Sequence, residues 1–206
     1  PTIVDDKNFS NFYLKLIKSN RIKASTDSSE YSDADIVFVC SNCDYDFVKN
    51  KVKLTSYIKN IDQISEKIKN NCLLIIQSTL PPGTTDKILE PLNEKSLMIT
   101  RKIFKDIFNL KPNKIIEFHS PSESETCKIM ENSYRATNIA FIEEWRKFCS
   151  KNNLDLEKIL GCIRQRKTHS NIMRSGIGVG GYCLTKDPLF AKASSKQILN
   201  KTFDFP

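Results

Sequence analysis

Four of the chain's six glycines, Gly176, Gly178, Gly180 and Gly181, fall in one short loop. Clustered glycine lets another group approach a backbone closely. The loop delivers Tyr182 and Cys183, followed by Leu184-Thr185-Lys186-Asp187-Pro188. A thiol after such a loop, beside a lysine and ahead of a helix start, has the setting of a nucleophile. The plain alternative is a small core cysteine, with Asp187 as N-cap and Pro188 at the first position of a final helix. Asp187 can be both cap and catalytic group. Read literally, Gly176-Ile177-Gly178-Val179-Gly180-Gly181 matches GxGxxG, but residues 171–175 do not form the strand that a dinucleotide turn requires. A flexible connection is the other reading of the loop.

Lys128, Asn132 and Arg135 are spaced by four and three, so on a helix they share one face. A lysine and an asparagine side by side can donate several hydrogen bonds to a developing oxyanion; a solvated stripe is the alternative. Cys40-Ser41-Asn42-Cys43 has CxxC spacing, yet no second pair or histidine cluster completes it, so no metal site is expected. His119 and His169 are the only histidines, without triad spacing.

The elements that must position these groups fall into two kinds. Ile36-Val37-Phe38-Val39-Cys40 and residues 73–76 read as short buried parallel strands, and Leu54, Ile58, Ile61, Ile64 and Ile68 give the helix between them one apolar stripe. That is a βαβ unit, whose ligands belong at the carboxyl ends of the strands, where Ser78 and Thr79 sit. Pro81, Pro82 and Gly83 break the chain, a helix is expected from Thr84, and residues 97–100 and 114–118 read as further strands around another helix. After Phe118 the period changes. Ser120-Pro121-Ser122-Glu123 fits a capping box with proline at the first helical position, and nothing breaks the helix until about Asn152. Met130, Tyr134, Thr137, Phe141, Trp145 and Phe148 form its apolar seam. A helix of roughly 30 residues spans about 45 Å, enough to join two lobes or line an oligomer interface. A shorter helix over about residues 155–166, the glycine loop and the helix from Pro188 complete the chain.

The expected fold is therefore α/β: an incomplete Rossmann-like parallel sheet over residues 1–118, then a long helix and an all-α central domain over residues 119–206. A chain of 206 residues with 39% hydrophobic residues can bury a core. No apolar run approaches a membrane span, and no signal peptide is evident. Seven irregularly spaced cysteines fit a reducing compartment, and a cytoplasmic location is expected. The net charge of +8 is dispersed without interleaved aromatics, which argues against a nucleic-acid binder.

Four motifs, in this order, resemble the nucleotide-sugar 6-dehydrogenases, the family of UDP-glucose, GDP-mannose and UDP-N-acetylmannosamine dehydrogenases. They are Ala34-Asp35-Ile36-Val37-Phe38-Val39, Ser78-Thr79-Leu80-Pro81-Pro82-Gly83, Lys128-Ile129-Met130-Glu131-Asn132-Ser133-Tyr134-Arg135-Ala136 and Gly178-Val179-Gly180-Gly181-Tyr182-Cys183-Leu184-Thr185-Lys186-Asp187. The resemblance implies a two-step, NAD-dependent oxidation of a sugar C6 alcohol to the carboxylate, with a UDP-sugar as the expected substrate. It assigns Cys183 as nucleophile, Lys128 and Asn132 as oxyanion donors, and Thr79 and Asp187 as groups that position water. Val39, Cys40, Ser41, Ser78, Thr79 and Lys186 would lie along NAD. Residues 174–180, with Arg174, Gly178 and Gly180, would wrap the nucleotide sugar together with Lys128, Asn132 and Arg135. Arg166 would reach a neighbouring subunit's substrate, in a homodimer built on the long helix 121–151.

The chain also departs from the family pattern. A first βαβ unit with its glycine-rich turn has no counterpart before Pro1, residues 98–103 read Met-Ile-Thr-Arg-Lys-Ile where a Ser-Pro-Glu stretch is usual, and a second nucleotide-binding lobe would follow the last helix. A partial or shortened dehydrogenase is expected; the alternative is a catalytically dead remnant that acts as a dimerisation module.

Overall fold

The computed structural model describes residues 7–89, 94–107 and 114–200. The chain divides into two compact units, residues 1–37 with 60–75 and residues 38–59 with 76–206. Two strands run through both: β1 (Ile36–Val39) and β4 (Leu73–Ile76) pair in a two-stranded sheet. Leu73 N–H donates to the Asp35 carbonyl and Gln77 N–H to the Val39 carbonyl, both at 2.9 Å. The constant offset makes the pair parallel, so the expected βαβ unit is present, with α2 (Leu54–Ser65) as its crossover.

In the first unit, α1 (Lys7–Lys18) stacks Phe9 on Tyr13, and Asp27 caps a 3-10 turn, Ser28–Asp33, by accepting from Ser29 N–H at 2.9 Å. Val37, Ile61 and Leu73 bury its apolar interior. Lys69 ties the foot of β4 to that of β1, its ammonium 2.5 Å from the Asp35 carboxylate.

The second unit holds the residues singled out in the sequence as candidate site residues. A small antiparallel hairpin, β2 (Tyr45–Asp46) and β3 (Lys51–Val52), stands between β1 and α2. Two-residue strands carry too little pattern to be read from sequence. Beyond β4 and a π-helical turn, Thr85–Leu89, come α3 (Glu94–Ile107), α4 (Pro121–Lys151), α5 (Leu156–Ile163) and α6 (Tyr182–Gln197). The Ser120 half of the capping box at the start of α4 forms, Ser120 accepting from Glu123 N–H at 3.3 Å, while Glu123 reaches one residue past the cap and accepts from His119 N–H at 2.8 Å. Asp155 caps α5 through Lys158 N–H at 3.0 Å. Buried Ile129, Ile142, Cys149, Leu160 and Phe190 anchor these helices.

Three expectations are corrected. Residues 97–100 are helical, not a strand, and 115–118 are irregular. A four-residue apolar run fits either period; here Ile103 is buried one turn after the half-exposed Ile99, and Thr100 returns its hydroxyl to the Ser96 carbonyl at 2.8 Å. The final helix begins at Tyr182, not Pro188, so Asp187 is not its N-cap and Pro188 lies inside it. Gly181, at φ +83°, occupies the cap in a conformation that favours glycine, and Thr185 donates to the Gly181 carbonyl at 2.8 Å. An interior proline costs about 3 kcal/mol; the buried side chains of Asp187 and Phe190 on either side offset it. The seam of α4 faces outward: Met130, Tyr134, Phe141, Trp145 and Phe148 are 67, 55, 52, 46 and 51% exposed. The buried face of α4 instead carries Ile129, Asn132, Ser133, Ile142 and Cys149.

Gly83 turns the chain after β4 at φ +88°, and a Cβ there would come within 2.8 Å of Leu199 Cδ2. Leu199 can swing aside, but the backbone cannot relax as easily. Gly83→Ala is therefore expected to cost about 1–2 kcal/mol of stability in urea titration.

Candidate active site

Helices α4 and α6 cross where two of the sequence motifs meet. Asn132, 2% exposed, donates its amide to Asp187 Oδ2 at 2.6 Å, and the other carboxylate oxygen of the fully buried Asp187 accepts from Lys186 Nζ at 2.7 Å. The Lys186 ammonium is held between two rings, 4.8 Å from the Tyr182 centroid and 4.4 Å from that of Phe190. A charge this deep requires such partners. The network continues outward, as Lys128 Nζ lies 3.4 Å from Asn132 Oδ1 and 3.2 Å from Glu131.

Cys183 stands in the first turn of α6, exposed, four residues before Asp187. At that spacing thiol and carboxylate share one side of the helix. Asn132 spends one amide hydrogen on Asp187 and keeps a second, and half-exposed Lys128 keeps donors of its own. Amide and ammonium donors side by side on one helical face are what a developing oxyanion needs.

The carboxyl end of β1 meets the same helix. Tyr182 donates its hydroxyl to Asp44, and that bond together with burial pushes the phenol up to about 12. Cys43 is buried beside Lys186 and Asp187, and burial drives its thiol up to about 12 against the opposing pull of Lys186. It is an inert core cysteine, not a second nucleophile. Cys40 is exposed and donates to Gln77 Oε1 at 3.4 Å, while Ser78 donates to the Val39 carbonyl at 3.2 Å. The Ser41 hydroxyl is buried without a hydrogen-bond partner. An orphaned polar atom at the carboxyl end of a parallel strand fits a nucleotide cofactor such as NAD. Residues 1–82 contain no glycine, so they supply no glycine-rich turn for a pyrophosphate. No group of three or more potential metal ligands occurs among the described residues.

The remaining expected residues lie outside this network. Thr79 is half-buried in the loop after Ser78. Arg135 is exposed and pairs with Glu131 at 3.7 Å. Arg166 is exposed at the cap of a 3-10 turn, Lys167–His169, and Arg174 is exposed near Glu157. Gly178 takes φ +92°. Glu157 accepts from the amide and hydroxyl of Ser175, the latter at 2.6 Å, pinning the start of the glycine loop to α5. Asp44 and Glu157 were not singled out in the sequence, where an isolated carboxylate has no signature.

Residues 3–122 match the NAD binding domain of the UDP-glucose/GDP-mannose dehydrogenase family, and residues 122–202 match that family's central domain. A UDP-N-acetyl-D-mannosamine dehydrogenase of Methanocaldococcus jannaschii is 29% identical over 87% of this chain and 49% of its own length. A UDP-glucose 6-dehydrogenase of Rickettsia conorii is 28% identical over 86% of this chain and 49% of its own. The chain thus spans about half the length of the curated relatives it matches. Among solved structures, UDP-D-ManNAc dehydrogenase from Pyrococcus horikoshii superposes with a TM-score of 0.78 at 21% identity, over 99% of this chain and 55% of that one. A UDP-glucose dehydrogenase from Pyrobaculum islandicum gives 0.75 at 16% identity, over 94% and 53%. At such identities these two superpositions speak for the shared fold.

Proposed function

The chain belongs to the UDP-glucose/GDP-mannose dehydrogenase family, and on that premise we propose that it serves an NAD-dependent oxidation of a nucleotide sugar's C6 alcohol to the carboxylate. A UDP-sugar in the cytoplasm is the favoured substrate. The observation that carries this reading is the buried Asn132–Asp187 hydrogen bond, which joins the lysine-asparagine helix to the cysteine helix one turn from Cys183. Val39, Cys40, Ser41, Ser78, Thr79 and Lys186 would border the cofactor, and two NAD molecules, bound in turn, would each accept one of the two hydrides that the overall reaction releases. The chain's own groups do the rest. The first oxidation converts the alcohol to an aldehyde with loss of a hydride and a proton. Cys183 Sγ then bonds to the aldehyde carbon as the thiol proton passes to the carbonyl oxygen, giving a thiohemiacetal whose oxygen is held by Lys128 and Asn132. Loss of the second hydride from carbon and of the hydroxyl proton leaves a thioester. Water, positioned by Thr79 and Asp187, adds to it; the carbon–sulfur bond breaks, and the thiol and a carboxylate are released. In this reading residues 1–118 serve the cofactor and 119–206 the sugar, with Arg135, Arg166, Arg174, Gly178 and Gly180 along the substrate.

The test is thiol alkylation followed by peptide mass mapping. Four cysteines are exposed, Cys40, Cys127, Cys162 and Cys183, so each is open to reagent, whereas Cys43 is expected to remain unlabelled at neutral pH. NAD together with UDP-N-acetylmannosamine or UDP-glucose should slow labelling of Cys183 by at least about tenfold, the protection expected at ligand levels near ten times Kd. Cys127 and Cys162 serve as internal references. Equal rates at all exposed thiols, with or without ligands, would remove the catalytic reading.

The outward aromatic stripe of α4 supports a homodimer through helix 121–151. Phe141 and Trp145 meet edge to face at 6.3 Å, and Trp145 and Phe148 at 5.6 Å. Rigid exposed aromatics in one patch are typical interface anchors. The same stripe would serve the alternative, a dimerisation module without catalysis. Trp145→Glu is expected to weaken self-association at least about 30-fold in sedimentation equilibrium, as loss of a hot-spot tryptophan does. A wild-type chain that stays monomeric at high concentration would exclude the interface.

A further inference from the structure

Three hydrogen-bond donors from the loop after β4 converge on one carboxylate of α4. Glu125 Oε2 accepts from Gly83 N–H at 2.7 Å, and Oε1 accepts from Thr85 N–H at 2.9 Å and from the Thr85 hydroxyl at 2.7 Å. The loop returns the contact, since Asp86 Oδ2 accepts from Ser122 N–H in the first turn of the same helix at 3.0 Å. Glu125 is partly buried, and burial holds its carboxyl above the ordinary glutamate range in spite of the three donors. Leu80, Pro81, Pro82, Gly83 and Thr84 are all buried, and Thr84 closes the turn by donating to the Pro81 carbonyl at 2.6 Å. Two adjacent prolines fix their own φ angles, so an anchor at Gly83 transmits its position stiffly back to Thr79. Along α4, Glu125 precedes Lys128 by three residues and Asn132 by seven, which places all three on one face.

We propose that Glu125 is a positioning residue for the reaction: it locks the Ser78–Thr79 loop in register with the Lys128–Asn132 face of the same helix. The catalytic half of this inference rests on the dehydrogenase reading above. The requirement is for a carboxylate in particular. Glutamine has a single acceptor oxygen, and its NH2 group would confront a loop N–H with another donor. Glu125→Gln keeps shape and volume while breaking one side of the clamp.

The experiment compares wild type and Glu125→Gln by hydrogen exchange over residues 78–86, by thermal melting and by steady-state kinetics with NAD and a UDP-sugar. The variant should melt within a few degrees of wild type while Gly83 and Thr85 amides exchange at least about tenfold faster. Its kcat should fall about 10- to 100-fold with KM for the sugar changed less than about threefold, since a misplaced water-positioning group slows a chemical step without loosening the ground state. Unchanged exchange would overturn the clamp. A loosened loop with wild-type kcat, or a loss carried by KM or by unfolded protein, would overturn the positioning role. Absence of turnover in the wild-type chain is a different failure: it would defeat the dehydrogenase reading and the catalytic half of this inference with it, and hydrogen exchange would still decide the clamp.

Discussion

On the proposed dehydrogenase reading, Cys183→Ser is expected to reduce uronate formation at least about 10⁴-fold, since removal of a covalent nucleophile costs up to about 10⁶-fold in kcat. The serine hydroxyl sits in the same first turn of α6, so packing of Asp187 and Asn132 should survive. A serine hydroxyl ionises far less readily than a thiol, and it would leave an ester where sulfur leaves a more labile thioester. Wild type should reduce two equivalents of NAD per sugar; in the variant any residual reduction should stop at the aldehyde, at one equivalent. Product stoichiometry by absorbance and mass spectrometry checks this. Uronate formation near the wild-type rate would exclude a covalent role for Cys183 and leave its exposure at the helix start without a catalytic purpose.

The largest effect on stability is expected from Asp187→Ala. Both carboxylate oxygens are engaged, one by Asn132 at 2.6 Å and one by Lys186 at 2.7 Å, and the Lys186 side chain is only 6% exposed. Removing one partner of a buried pair leaves the other charge in the interior, which costs about 3–5 kcal/mol. For a chain of this size that corresponds to a fall in Tm of roughly 10 °C by circular dichroism. A double variant, Asp187→Ala with Lys186→Met, should regain part of the loss because no unpaired ammonium remains. If the single substitution melts like wild type, the buried network does not hold α6 against α4.

Much of the site was legible because its residues lie in short contiguous segments. Spacing alone placed Lys128 and Asn132 on one helical face, and the glycine cluster marked the loop before Cys183. The capping residues of α4 and α5 behaved as local rules require, since a cap is satisfied within four residues of chain. Where local rules competed with burial, the sequence misled. Asp187-Pro188 has the signature of a helix start, yet α6 begins six residues earlier, because Asp187 is claimed by Asn132 and Lys186 and Gly181 supplies the turn. The run at residues 97–100 suits a strand or a helix, and only its helical neighbours decide which.

The sequence by itself determined the family, the βαβ order and the long helix, since each of these is encoded in local pattern or in contiguous motifs. The tertiary structure alone decided the partnerships. Asn132 with Asp187 are 55 residues apart, Glu125 with Gly83 42 apart, and Tyr182 with Asp44 138 apart. It also decided that the aromatic seam of α4 faces outward, whereas the polar Asn132 faces in. Hydrogen bonds between distant residues leave no periodicity in the chain, and they become visible only when packing brings the donor to the acceptor.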